Sequence, residues 1–179
     1  REYAALTQQL EGLKQKSDQA SFNRGYDAQI FRVAQEAAES VKALINRPFL
    51  QSLADAIDVE TTHHLDAAFH VHATGNRSGS VHNDFNPGWF SQSNDRGALQ
   101  YSAVSGCHYR TGSRGSDNRD CIRVIRSIAA IFYLDNEWEP GDGGETGLFR
   151  CRSDAVGAPA RAVPPVSHRL LAFECSPHS

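Results

Sequence analysis

The chain contains no methionine and only two tryptophans in 179 residues, an unusual composition for this length. Its four cysteines, Cys107, Cys121, Cys151 and Cys175, form no C-x-x-C pair. Oxidised scaffolds are much denser in cysteine, so these are expected as reduced thiols of a cytoplasmic protein, the alternative being one incidental disulfide. No apolar run approaches the roughly 18 residues of a membrane span, and no signal-peptide pattern is present. An excess of one charge is also missing: 18 Lys and Arg stand against 21 Asp and Glu, for a net charge of −3. Nothing in that balance calls for nucleic acid or an anionic membrane as partner. The chain begins at Arg1, and further residues are expected before it. No repeat and no second domain are visible, and the length suffices for a single domain, 1–179, with a sizeable core.

What is present falls into two regions. The first, 1–60, reads as a helical buttress. Leu6, Leu10 and Leu13 recur at i, i+4 and i+7 within a Gln- and Lys-rich stretch, 3–19. Ile30, Val33, Ala34, Ala37, Val41, Leu44 and Ile45 form one apolar stripe of a second predicted helix, punctuated by Asn46 and Pro48. Phe49, Leu50, Leu53, Ala54 and Ile57 then recur at helical spacing. After His64 the period changes to two: Phe69, Val71 and Ala73 alternate with His70 and His72, as in a strand. Val81 is expected to begin another strand, broken by Asn86-Pro87-Gly88. The stretch 88–120, rich in Ser, Gly, Asn and Arg, reads as a long irregular insertion. Residues 123–134 make the best strand of the sequence, 148–151 a short one, and Leu170-Leu171-Ala172-Phe173 ends the last. Helices first and short strands later predict an α+β, mainly β chain with a sandwich or barrel over 65–179.

His82-Asn83-Asp84 is the segment that points to chemistry. On an extended strand, residues i and i+2 project to the same side, so one imidazole and one carboxylate can share a metal ion. Two histidines and one carboxylate with positions left open are typical of non-haem iron(II) oxygenases. Taken alone, His-x-Asp is most often an accidental surface pair.

The wider sequence resembles the 2-oxoglutarate- and iron(II)-dependent oxygenases, in their prolyl 4-hydroxylase-like branch. Four motifs occur in that family's order: His82-Asn83-Asp84; Tyr133-Leu134-Asp135 with Trp138; Gly143-Gly144-Glu145; and Pro164-Pro165 with Arg169-Leu170-Leu171-Ala172-Phe173. The resemblance covers 49–179. It implies a double-stranded β-helix (a cupin-like jelly roll) with N-terminal flanking helices. It implies His82 and Asp84 as iron ligands. It places the second histidine, and the basic residue that pairs with the far carboxylate of 2-oxoglutarate, just beyond Ser179; within the chain the candidate is His178. Tyr133 matches a tyrosine whose hydroxyl contacts that carboxylate. Arg126 matches a catalytic position at the mouth, where it would orient substrate or a water. His72 stands where the family often has a tyrosine on the cosubstrate side, and reads either as a cosubstrate contact or as an interior histidine. His168 replaces a turn glycine of the family and is expected at the surface. Trp138 and Gly143-Gly144 are expected to shape the turn and barrel wall.

The implied reaction is hydroxylation of a C–H bond with release of succinate and CO2. Related halogenases lack the carboxylate that Asp84 provides. The implied cofactors are Fe(II) and 2-oxoglutarate, with ascorbate as an auxiliary reductant. The ligands must be deprotonated, so metal affinity is expected to fall at acid pH. A prolyl or other peptidyl residue, or a small amino-acid-derived metabolite, would be the substrate. Arg110, Arg114, Arg119, Arg123 and Arg126 could cap an anionic substrate, but a solvated loop diluted by Asp117 and Asp120 explains them equally well. Two other classes remain open: a catalytically inactive cupin-like binding module, and a zinc hydrolase, for which no His-rich helix is present.

Overall fold

The computed structural model describes residues 21–23, 28–32, 45–73, 75–76, 79–91, 99–101, 121–134, 137–150 and 157–177, together with Ala4 and Gln8. Ala4 and Gln8 are helical; the rest of the first predicted helix lies outside the described residues. The second predicted helix is corrected at its start. Ile30 belongs to a strand, and 33–44 lie outside the described residues. β1 (Ser21–Asn23) and β2 (Ala28–Arg32) pair antiparallel, and β2 pairs in turn with β4 (Ala68–His72). Pairing on both sides satisfies the β2 backbone, and the strand buries Ala28, Ile30 and Phe31. Burial against two neighbours overrides the helical spacing that Ile30 shares with the residues after it.

α1 (Arg47–Ala56) forms where the spacing predicts it. Asn46 caps it by accepting from the Phe49 N–H at 3.0 Å, and Pro48 falls in its first turn, where no amide donor is needed. Its apolar face buries Ala54 and brings the Phe49 ring within 5.9 Å of the Phe132 ring.

The remaining strands pair mostly two by two. β3 (His64–Leu65) runs parallel to β6 (Gln100–Tyr101). β5 (Pro87–Ser91) pairs antiparallel with β7 (Cys121–Ile125). β8 (Ile128–Phe132) pairs with β11 (Leu170–Glu174) in the register Leu170↔Phe132 to Glu174↔Ile128. β9 (Thr146–Leu148) pairs with β10 (Arg161–Val163). The protein is mainly β, and the sheets are small.

Four expectations change in detail. The best predicted strand is two strands, β7 and β8, separated by Arg126 and Ser127. The proline and glycine read as a breaker open β5 instead, because a proline is tolerated as the first residue of a strand. The predicted insertion therefore contains β5 and β6, and its residues 92–98 and 102–120 lie outside the described residues. The short strand expected at 148–151 starts earlier, at Thr146.

The buried side chains Ala28, Ile30, Phe31, Ala54, Phe90, Tyr133 and Cys175 make the core, with Ile45, Leu65, Ala67, Phe69, Leu99 and Leu134 packed against them. Among the described residues no helix is long and apolar enough to cross a membrane.

Candidate metal centre

His82 and Asp84 lie on a stretch without strand pairing, between residue 79 and β5. The strand expected to begin at Val81 is therefore absent, and the pleat does not align the two side chains. Local hydrogen bonds do so instead. The His82 Nδ1 lies 2.6 Å from the Ser80 carbonyl oxygen. A carbonyl only accepts, so Nδ1 donates, and in the neutral ring the lone pair falls on Nε2. The Asn86 N–H donates to the Asp84 carbonyl at 2.7 Å and closes a tight turn behind the carboxylate. As a result Nε2 of His82 lies 4.0 Å from Oδ1 of Asp84.

This donor set fits a divalent first-row metal. It combines an imidazole whose Nδ1 is held by a carbonyl, as in most His-ligated metal sites, with a carboxylate. With ligand bonds of about 2.1 Å, neighbouring donors stand about 3 Å apart, so the pair must close by about 1 Å. The His82 side chain is 53% exposed and has room to do so. Among the described residues, no group of three or more His, Cys, Asp or Glu could hold a metal ion. The pair thus supplies two donors. His178, the candidate third, lies outside the described residues.

Arg126 completes the cluster. It stands in the break between β7 and β8, its N–H donating to the Asn86 carbonyl at 3.2 Å. Its Nη1 donates to Asp84 Oδ1 at 2.7 Å, and its Nη2 lies 3.8 Å from Asp66 Oδ2. Cys175, the buried residue after β11, is a free thiol at this site. Burial pushes it up to about 11, the Asp84 carboxylate adds to the rise, and Arg126 opposes it. Its N–H donates to the Ser127 carbonyl at 2.8 Å, which ties the end of β11 to the residue after Arg126.

Tyr133 is brought to a different place. It follows β8 at the end opposite Arg126 and is buried. Its hydroxyl donates to Thr146 Oγ1 at 2.7 Å, and its N–H to the Arg169 carbonyl at 3.0 Å. The neighbouring turn has the expected shape: Trp138 Nε1 donates to the Gly143 carbonyl at 2.7 Å, and Gly143 and Gly144 take φ values of 80° and 81° that favour glycine. His168 is exposed and adopts a φ of 62°, in the left-handed region that favours glycine.

His72 ends β4 on its exposed face, opposite the half-buried Phe69 and Val71. It is therefore not an interior histidine. Of the five arginines considered as a cap, Arg123 is exposed, Arg126 is engaged at Asp84, and Arg110, Arg114 and Arg119 lie outside the described residues. Sequence reasoning missed Ser80, Asp66, Thr146 and Cys175. Thr146 adjoins the Gly143-Gly144-Glu145 motif and could have been read from it; the others carry no local signal.

A family model described as the 2OG-Fe(II) oxygenase superfamily matches residues 104–179. The matched stretch is less than half of the chain; it contains β7 to β11 with Arg126, Tyr133 and Cys175, and it leaves His82 and Asp84 outside. No curated protein and no solved structure matches. The family match supports the superfamily, and with it an oxidoreductase of the dioxygenase type that uses Fe(II) and 2-oxoglutarate.

Proposed function

We propose that the protein is an iron(II)- and 2-oxoglutarate-dependent dioxygenase of the prolyl 4-hydroxylase-like branch, built on a double-stranded β-helix, that hydroxylates a C–H bond of a prolyl or other amino-acid-derived substrate. The observation that carries this reading is the His82 imidazole, its Nδ1 held by Ser80 and its Nε2 facing Asp84, in a chain whose following strands match the oxygenase superfamily. Fe(II) and 2-oxoglutarate, when bound, supply the oxidising power that turns R–H and O2 into R–OH, with succinate and CO2 released.

The protein's part is binding and placement. Ser80 holds the His82 ring in its metal-binding tautomer. Arg126 donates a charge-assisted hydrogen bond to Asp84 Oδ1 and fixes where the carboxylate stands before an ion arrives. The buried Tyr133 hydroxyl, which donates to Thr146, would turn its one proton to the far carboxylate of 2-oxoglutarate when that is bound. The third metal ligand, a second histidine, and the basic partner of that carboxylate are expected outside the described residues.

The test is substrate-independent turnover in the full-length protein: succinate formation from 2-oxoglutarate under air with added Fe(II). Succinate in wild-type protein and none in Asp84→Ala supports the dioxygenase. Equal traces in both would defeat it. One observation favours the binding-module reading, namely that Arg126 already takes the Asp84 oxygen facing His82. That reading predicts ligand binding with no succinate at all.

A further inference from the structure

Arg126 stands between two carboxylates. Its Nη1 donates to Asp84 Oδ1 at 2.7 Å and its Nη2 lies 3.8 Å from Asp66 Oδ2. Asp66 follows β3, and Arg126 follows β7, so elements distant in sequence converge here. All three side chains are largely withdrawn from solvent, at 16% exposure for Asp66, 27% for Arg126 and 28% for Asp84. The Arg126 backbone is tied to the Asn86 carbonyl at 3.2 Å, so the side chain can change partner without the chain moving.

The oxygen of Asp84 that accepts from Arg126 is also the one facing His82 Nε2 at 4.0 Å. A metal ion on His82 and Asp84 and the Arg126 guanidinium therefore contest one atom. A divalent ion beside an unshielded guanidinium meets repulsion in a poorly solvated site. Asp66 offers the guanidinium a second anion, its Oδ2 already 3.8 Å from Nη2.

We propose that Asp66 is a positioning residue that sets the metal affinity of the His82–Asp84 pair by drawing the Arg126 guanidinium off Asp84 when the ion arrives. The inference rests on His82 and Asp84 being metal ligands, as under Proposed function. Two carboxylates and one guanidinium carry a net charge of −1, which a divalent cation converts to +1. With Asp66 neutralised the same cluster starts at zero and ends at +2, with cation and guanidinium both directed at Asp84. Asp66 thus acts on the metal through Arg126, not by contact.

Mn(II), which needs neither oxygen nor turnover, is the probe, titrated into full-length protein and followed by its electron paramagnetic resonance signal. Asp66→Asn is expected to weaken Mn(II) binding about tenfold or more, the size typical of losing a group that orients a metal ligand. Asp66→Glu recovers most of that loss. Arg126→Met tightens binding, because the competitor for Asp84 is gone. In the Arg126→Met background Asp66→Asn has a much smaller effect, since the residue through which Asp66 acts is missing. Wild-type affinity in Asp66→Asn, or weaker binding in Arg126→Met, overturns the proposal while Asp84→Ala still abolishes binding. Unchanged affinity in Asp84→Ala would instead remove the metal reading itself. Arg126→Met decides the matter should Asp66→Asn fail to fold.

Discussion

His82 and Asp84 sit on backbone that pairs with no strand, held by the Ser80 carbonyl, the turn at Asn86 and the Arg126 guanidinium. Tyr133 directly follows β8, which is paired residue for residue with β11; it is buried, and its backbone is bonded on both sides, its N–H donating to Arg169 and its carbonyl accepting from His168. The first region is polar, with His82 exposed and Asp84 and Arg126 part-buried, and its geometry depends on side chains and a turn. The second depends on the backbone and on burial. A metal pair needs access and donors free to shift by about 1 Å, whereas a carboxylate-binding hydroxyl needs a fixed, dry position. The two are joined by β8, and by Cys175, whose amide reaches Ser127 and whose thiol feels Asp84.

If the regions differ in this way, mutations in them must fail differently. The largest effect is expected from Asp84→Ala. Metal binding should be lost altogether, while stability falls by no more than the part-buried hydrogen bond to Arg126 is worth, about 1.5–3 kcal/mol, because the residue belongs to no strand. Metal titration and a thermal melt on the same sample check both halves. Tyr133→Ala should do the reverse and cost about 3–5 kcal/mol of stability, as for other buried aromatics, in a urea unfolding curve. Tyr133→Phe isolates the hydroxyl bonded to Thr146, at about 1 kcal/mol. It should also weaken 2-oxoglutarate binding without changing Mn(II) affinity.

A smaller effect concerns the link between the regions. The Cys175 thiol is raised from its ordinary 9.0 to about 11 in the folded protein. Folding therefore favours the neutral thiol. That stabilisation is complete below the unfolded value and is lost as pH climbs through about 11. The melting temperature of wild type relative to Cys175→Ala should fall as pH is raised across this range and stay level below it. A flat difference would place the thiol in a more solvated setting. The smallest effect is expected at His168, whose φ of 62° strains a residue with a Cβ. His168→Gly should stabilise the protein by about 0.5–1 kcal/mol, part of the relief being offset by the more flexible unfolded chain. A lower melting temperature would contradict that reading.

The same division decides what could be read from the sequence. The alternation at Phe69, Val71 and His72 gives β4, and the apolar runs at Ile128–Phe132 and Leu170–Glu174 give β8 and β11, because burial of a sheet face leaves a period of two or a continuous run. His168 and the Trp138 to Gly144 turn were legible because backbone sign and turn chemistry are local. β2 was not: Ile30 continues into residues with helical spacing, and only its pairing with β1 and β4 makes it a strand. β5 was hidden by Pro87, whose missing amide excludes a strand interior but not its first position. His82 and Asp84 were found as a pair, but the means of their alignment was misjudged, since i and i+2 meet here through turns. The Arg126 contacts to Asp66 and Asp84 span 60 and 42 positions, and an ion pair of such separation leaves no mark on either neighbourhood.

The measurement closest to the central claim is anaerobic titration of the full-length protein with Fe(II) and 2-oxoglutarate, followed in the visible for the weak metal-to-ligand charge-transfer band. The account predicts the band in wild-type protein, its loss in His82→Ala and Asp84→Ala, and its persistence at a higher 2-oxoglutarate requirement in Tyr133→Phe. A well-folded protein that shows no band, or one whose band survives both ligand substitutions, would contradict the assignment of His82 and Asp84 as the metal centre.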